Sequence, residues 1–158
     1  MTRLAKGIAL GVVQVAMVFS LGGKLLIDRA TMPRVWVKTA PYDPILPIRG
    51  RYVSLTLLVD ARGFGPPQAF PNLTMSHGRL LVEGGKLVAV PSPEGEWVRG
   101  DRLSEPVAYF IPAHVDDPSR RPPGEELWVE VTVPPKGPPR PIRLGVKKNG
   151  VLTPVDLH

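Results

Sequence analysis

The sequence predicts an all-β domain, a single β-sandwich or partly open barrel, preceded by one N-terminal transmembrane helix. Three observations carry this. All 20 prolines of the 158-residue chain lie at position 33 or later, with 12 of its 16 glycines, so long helices are excluded there: proline removes a backbone donor and clashes with the preceding turn. Several short segments in the same stretch alternate apolar and polar residues with period two, the pattern of half-buried strands. Before Pro33 the pattern reverses, and the 17 residues between Lys6 and Lys24 carry no charge.

The N-terminal segment is therefore assigned first. A helix over residues 4–27 measures about 36 Å at 1.5 Å per residue, enough to cross a hydrocarbon core of about 30 Å. Lys6 and Lys24 would snorkel to the headgroups, and Gln14 is the one strongly polar residue inside the charge-free run. A cleaved signal peptide is the rival reading, with Arg3 and Lys6 as its basic region and Ser20-Leu21-Gly22 as a cleavage site. The apolar run resumes at Leu25-Leu26-Ile27 and contains no Ala-x-Ala, which favours an uncleaved signal anchor. The expected organisation is an anchor over residues 1–30 and a β domain over residues 31–158. The anchor would hold the chain in the cell membrane as a single-pass protein with its C-terminal domain extracytoplasmic. The count of Lys and Arg on the two sides does not itself fix that orientation; a short N-terminal tail and a long following domain favour it.

The strands follow in order. Arg34–Thr39 is β-rich around Val-Trp-Val, and Arg51–Asp60 sets Val53, Leu55, Leu57 and Val59 on one face and Tyr52, Ser54 and Thr56 on the other. Arg79–Val82 and Lys86–Val90 flank Gly84-Gly85, a hairpin signal. Val107–Ile111, Glu126–Val133, Pro141–Lys147 and Val151–Val155 complete the set, the last two joined by Asn149-Gly150, a strong two-residue turn. If Glu126–Val133 and Pro141–Lys147 pair antiparallel, opposed residues must have position numbers summing to an odd value, as in Val131 opposite Leu144. A one-residue slip would send one apolar set into water. The connections Gly63–Pro71, Pro91–Gly95, Pro118–Gly124 and Pro134–Pro141 are rich in Pro or Gly and read as loops.

Charge and chemistry narrow the function classes. The chain has no cysteine, which excludes disulfides, thiolate metal sites and thiol nucleophiles. The net charge is +6, and residues 131–155 carry Lys136, Arg140, Arg143, Lys147 and Lys148 with no acid. The register above sets Glu126 and Glu130 on the face of Arg143 and Lys147, so this patch reads as partly self-neutralised strand surface in preference to a lipid-binding face. No interleaving of arginine with aromatics supports nucleic-acid binding. His77, His114 and His158 have no metal-ligand spacing, and no metal or cofactor is expected. Ser54 and Lys86 could form a hydrolase pair only if the fold brought them together; otherwise no catalytic constellation is legible and the chain is not expected to be an enzyme.

One segment carries a resemblance. Val37-Lys-Thr-Ala-Pro-Tyr-Asp-Pro44, followed by Pro47-Ile-Arg-Gly-Arg-Tyr-Val-Ser-Leu-Thr-Leu57, resembles the signature of the GDYXXLXY proteins. Gly50, Tyr52 and Leu55 match the motif; Arg51 stands in place of its Asp and Leu57 in place of its last Tyr. Tyr109-Phe-Ile-Pro112 is similar to a later Tyr-Phe-Val-Pro step of the family, with His114 near a position that tends to be acidic there. The resemblance implies an extracytoplasmic β domain on one anchor, associated with a polytopic membrane protein, and no established activity. On physical grounds Pro41, Pro44 and Pro47 hold the approach extended, Asp43 accepts local backbone bonds and Gly50 permits a sharp strand entry. Asp43, Pro44, Gly50, Tyr52, Leu55, Tyr109 and His114 are the candidate binding residues, with a structural corner the favoured reading of the motif. The functional expectation is a membrane-anchored accessory or interaction module; an envelope ligand-binding domain is the alternative.

Overall fold

The computed structural model describes residues 3–40, 52–64, 75–112, 114–115, 117–118 and 121–155, the side chains of residues 3–5, 28 and 29 excepted. The chain divides into two compact units, residues 1–32 and 33–158.

The first unit is one helix, α1 (Arg3–Thr31). It runs four residues beyond the predicted end and stops two residues before Pro33, where the chain must leave helical geometry. The Thr31 hydroxyl closes the last turn by donating to the Ile27 carbonyl at 2.8 Å. Within it, Lys6–Ile27 is a 22-residue stretch long and apolar enough to cross a membrane, and none of it is buried.

The second unit is all β, with eleven strands among the described residues. They are β1 (Arg34–Ala40), β2 (Tyr52–Leu57), β3 (Asp60–Ala61), β4 (Met75–Glu83), β5 (Lys86–Pro91), β6 (Glu96–Arg99), β7 (Arg102–Leu103), β8 (Val107–Phe110), β9 (Glu125–Thr132), β10 (Arg140–Lys148) and β11 (Val151–Pro154). One sheet has the order β11-β10-β9-β1-β2-β8 and the other β3-β5-β4-β6-β7; the curled sheet makes a half-barrel. One core joins both sheets: Val35, Val37, Val53, Leu55 and Leu57 from β1 and β2, Leu80, Leu87, Ala89 and Val98 from β4, β5 and β6, and Leu127, Val129, Val131 and Leu144 from β9 and β10. Burying a side chain of this size contributes about 1.5–3 kcal/mol, and this layer holds the sheets together. Thr39 occupies an inward position, and its hydroxyl is satisfied by donating to the Leu127 carbonyl at 2.9 Å.

The two hairpin signals fold as predicted. Gly84 and Gly85 have φ of 56° and 73°, and Asn149 and Gly150 have φ of 50° and 83°, the all-positive geometry of a tight type I′ turn. The odd-sum register holds from Arg143 to Lys148: Leu144 faces Val129 and Val146 faces Leu127. The pairing sits two residues away from Val131 opposite Leu144, which preserves the face of every side chain. Between Pro141 and Arg143 a bulge inserts Ile142, and beyond it Pro141 faces Val131 with an even sum. Proline has no N–H for the ladder, so the strand admits an extra residue there.

Three short strands escape sequence reading. The alternating run Arg51–Asp60 is divided: after Leu57 the chain crosses from one sheet to the other, Val59 donates to the Asp101 carbonyl at 2.8 Å, and β3 joins β5 in parallel. Val59 stays buried through the crossing, so the apolar alternation continues across a change of sheet. β6 and β7 lie between proline- and glycine-rich turns and are too short to show a period.

Candidate functional site

The predicted site residues divide into separate places. Asp43, Pro44 and Gly50 lie outside the described residues. Tyr52 faces Phe110 across the β2–β8 pair, with ring centroids 6.2 Å apart, and Phe110 is 74% exposed at the free edge of the sheet. Leu55 is buried in the core, and Tyr109, opposite Val53, packs inward against the same core. Tyr52 and Tyr109 therefore occupy opposite faces of one sheet and cannot contact one ligand together. His114 is exposed in the turn that Val115 closes by donating to the Pro112 carbonyl. Ser54 and Lys86 stand in different sheets, and no hydrogen bond joins them.

The basic C-terminal strands are partly neutralised on their own sheet. Arg143 donates to Glu130 at 2.7 Å and its guanidinium lies 5.4 Å from the Trp36 ring centre. Lys147 stands 4.6 Å over Trp128, whose indole N–H donates to Glu126. Lys38 pairs with the same Glu126, and Lys148 with Glu125. The hydrogen bond from Lys38, aided by that from Trp128, lowers the Glu126 pKa below the ordinary carboxylate value. Trp36 lies flat across β10 because residue 145 is glycine: a Cβ there would meet the ring at 2.7 Å. Rings covered by a cation on one face form a closed surface ladder, each contact worth about 0.5–1 kcal/mol at exposed sites.

A concavity lies elsewhere among the described residues, where β4 and the β5–β6 turn face the β9–β10 loop. It is a cleft of about 490 Å³ lined by Gly78, Arg79, Leu80, residues 92–96 and residues 134–137. Two of its lining residues are glycines held in close packing. Gly95 packs directly on the Gly78 peptide, where a Cβ would come within 2.6 Å of the Gly78 carbonyl carbon. A Cβ on Gly78 would in turn meet Phe64 at 2.9 Å. His77 fixes this crossing: its Nδ1 is 3.0 Å from the Gly95 carbonyl and its ring stacks on Trp97 at 3.7 Å.

The cleft is mixed in charge. Lys136 and Glu94 pair at 3.6 Å across its mouth with side chains 90% and 84% exposed, a contact of little energy. Arg79 makes no ion pair among the described residues. The Glu96 carboxyl is half-buried, and its pKa is raised by burial and then by the nearby Glu105 carboxylate, against a smaller opposing effect of His77. No group of three or more metal-ligating side chains occurs among the described residues. Arg79, Glu94, Glu96 and Lys136 were not among the candidates drawn from sequence. Arg79 opens a predicted strand, and Glu94, Glu96 and Lys136 stand at or beside proline-rich turns that read as connections; the observed β4 starts four residues earlier than the predicted strand and so takes in Gly78.

No family model, curated protein or solved structure matches this chain.

Proposed function

We propose that the protein is a membrane-anchored accessory module whose β domain, on the extracytoplasmic side, engages a polytopic membrane protein. The observation that carries this reading is α1. Its stretch Lys6–Ile27 leaves Phe19, Met17 and Val18 about 70% exposed, an apolar surface that water penalises and a bilayer covers. Met32 and Pro33 alone then connect it to β1, so the tether between the anchor and the β domain is two residues long. The resemblance to the GDYXXLXY proteins supports the choice of partner, and the exposed Phe110 beside Tyr52 supplies an aromatic edge next to that motif. Crosslinking of the full-length protein in its native membrane, followed by mass spectrometry of the adducts, tests the reading. Recovery of a polytopic protein joined near Tyr52 or Phe110 is the expected result. Adducts confined to soluble proteins, or none, would remove the accessory role.

The second reading, an envelope ligand-binding domain, is favoured by one observation, the charged cleft between β4 and the β9–β10 loop.

A further inference from the structure

We propose that this cleft binds a phosphoethanolamine group, the headgroup of an aminophospholipid, with Arg79 and Lys136 taking the phosphate and Glu94 and Glu96 the primary ammonium. The proposal develops the ligand-binding reading and rests, for the source of the ligand, on α1 spanning a bilayer.

Charge and place both point this way. The four side chains bring two positive and two negative charges to one concavity, so a lone anion or cation leaves half of them unanswered. A zwitterion with the two charges on neighbouring groups answers all four. The Arg79 side chain makes no hydrogen bond or ion pair among the described residues, and a guanidinium presents its donors in the fork that suits a phosphate. The Lys136–Glu94 pair is open to water and is exchanged for ligand contacts at little cost. At the inner end Glu96 is crowded by Glu105, and an ammonium placed there relieves the repulsion between the two carboxylates.

The position of the wall supplies the second argument. Val133 donates to the Pro33 carbonyl at 3.0 Å, and the wall Pro134–Gly137 begins at the next residue. Pro33 is separated from Thr31, the end of α1, by Met32 alone, a link that spans at most about 7 Å. The chain thus passes from α1 into the β domain at the residue hydrogen-bonded to the start of this wall, and a bilayer spanned by α1 supplies headgroups as ligands.

The test uses the full-length protein, first in detergent micelles. Thermal stability is followed against glycerophosphoethanolamine, glycerophosphocholine, ethanolamine and inorganic phosphate. Glycerophosphoethanolamine should give a saturable rise that the other three do not match at equal concentration, since choline offers no N–H to a carboxylate. Arg79→Gln and Glu96→Gln should each weaken the response about tenfold or more, the loss of one charge-assisted hydrogen bond. Equal responses to all four compounds, or variants that respond like the parent, would overturn the site. Loss of fold does not imitate the effect in Glu96→Gln, because removing a crowded carboxylate favours the folded state. The same measurement in nanodiscs locates the source. In phosphatidylethanolamine discs the soluble compound should have no further effect, and in phosphatidylcholine discs its effect should persist. A persistent effect in both discs would overturn the assignment to lipid and leave a soluble or glycan-borne phosphoethanolamine as the ligand. Carbonate extraction separates failure of the anchor from failure of the cleft, since the micelle experiment does not depend on a bilayer.

Discussion

At the scale of single residues, the cleft depends on two positions that no hydrophobic pattern marks. Gly95→Ala forces a methyl against the Gly78 peptide, and backbone cannot swing aside as a side chain does; a loss of about 1–3 kcal/mol is expected. Gly145→Ala meets the outer end of the Trp36 ring and the Leu152 Cδ1, both side-chain groups that can shift, so its loss in urea unfolding should be the smaller of the two. Glu96 gives a titration with a definite sign. Its pKa is higher in the folded state, so the folded state binds the proton more tightly and loses stability as pH rises from the unfolded carboxylate value through the folded one. Glu96→Gln should flatten that part of the stability profile and raise stability at neutral pH. Glu126 has the opposite sign: its lowered pKa contributes stability above the unfolded carboxylate value that is lost as pH falls through the folded one. Glu126→Gln should therefore remove part of the acid-side loss, read as the slope of stability against pH below the ordinary carboxylate range.

At the scale of elements, the β9–β10 hairpin shows what period and turn chemistry can settle. The odd register follows from Leu127, Val129, Leu144 and Val146 needing one face, and it holds over Arg143–Lys148. It also sets Arg143 against Glu130, so a double-mutant cycle with Arg143→Gln and Glu130→Gln should give a coupling of about 0.5–1 kcal/mol, modest because the guanidinium is half exposed. The adjoining turn should be equally testable. Gly150→Ala places a Cβ at φ 83° and should cost about 1 kcal/mol in the same assay. Strands with a full period and a two-glycine or Asn-Gly turn were legible for this reason. The crossing after Leu57 was not, because Val59 keeps its inward place while its backbone changes partners. The bulge at Ile142 depends on a proline whose effect on register is local. The cleft was the least legible feature, since its side chains converge from elements far apart in sequence and its walls beside β4 are loops.

At the scale of the whole molecule, α1 carries an exposed apolar surface and the β domain a buried apolar core. Carbonate extraction of membranes containing the full-length protein should leave it in the pellet, and a Val15→Asp, Val18→Asp variant should release a substantial fraction by placing charge at mid-span, at about 3 kcal/mol each. Release of the unaltered protein would show that Lys6–Ile27 does not span. The position of β1 has a further consequence. It is the first strand to be made, yet along its length it is flanked chiefly by β9, from Arg34↔Thr132 to Lys38↔Trp128. The cradle for the chain's opening strand thus leaves the ribosome only after some ninety further residues. Val35 and Val37 remain without their β9 partners until that strand has been made, and closing so long a loop is slow. The sheet built around β1 is therefore completed late, after β4 and β5 already have each other to pair with.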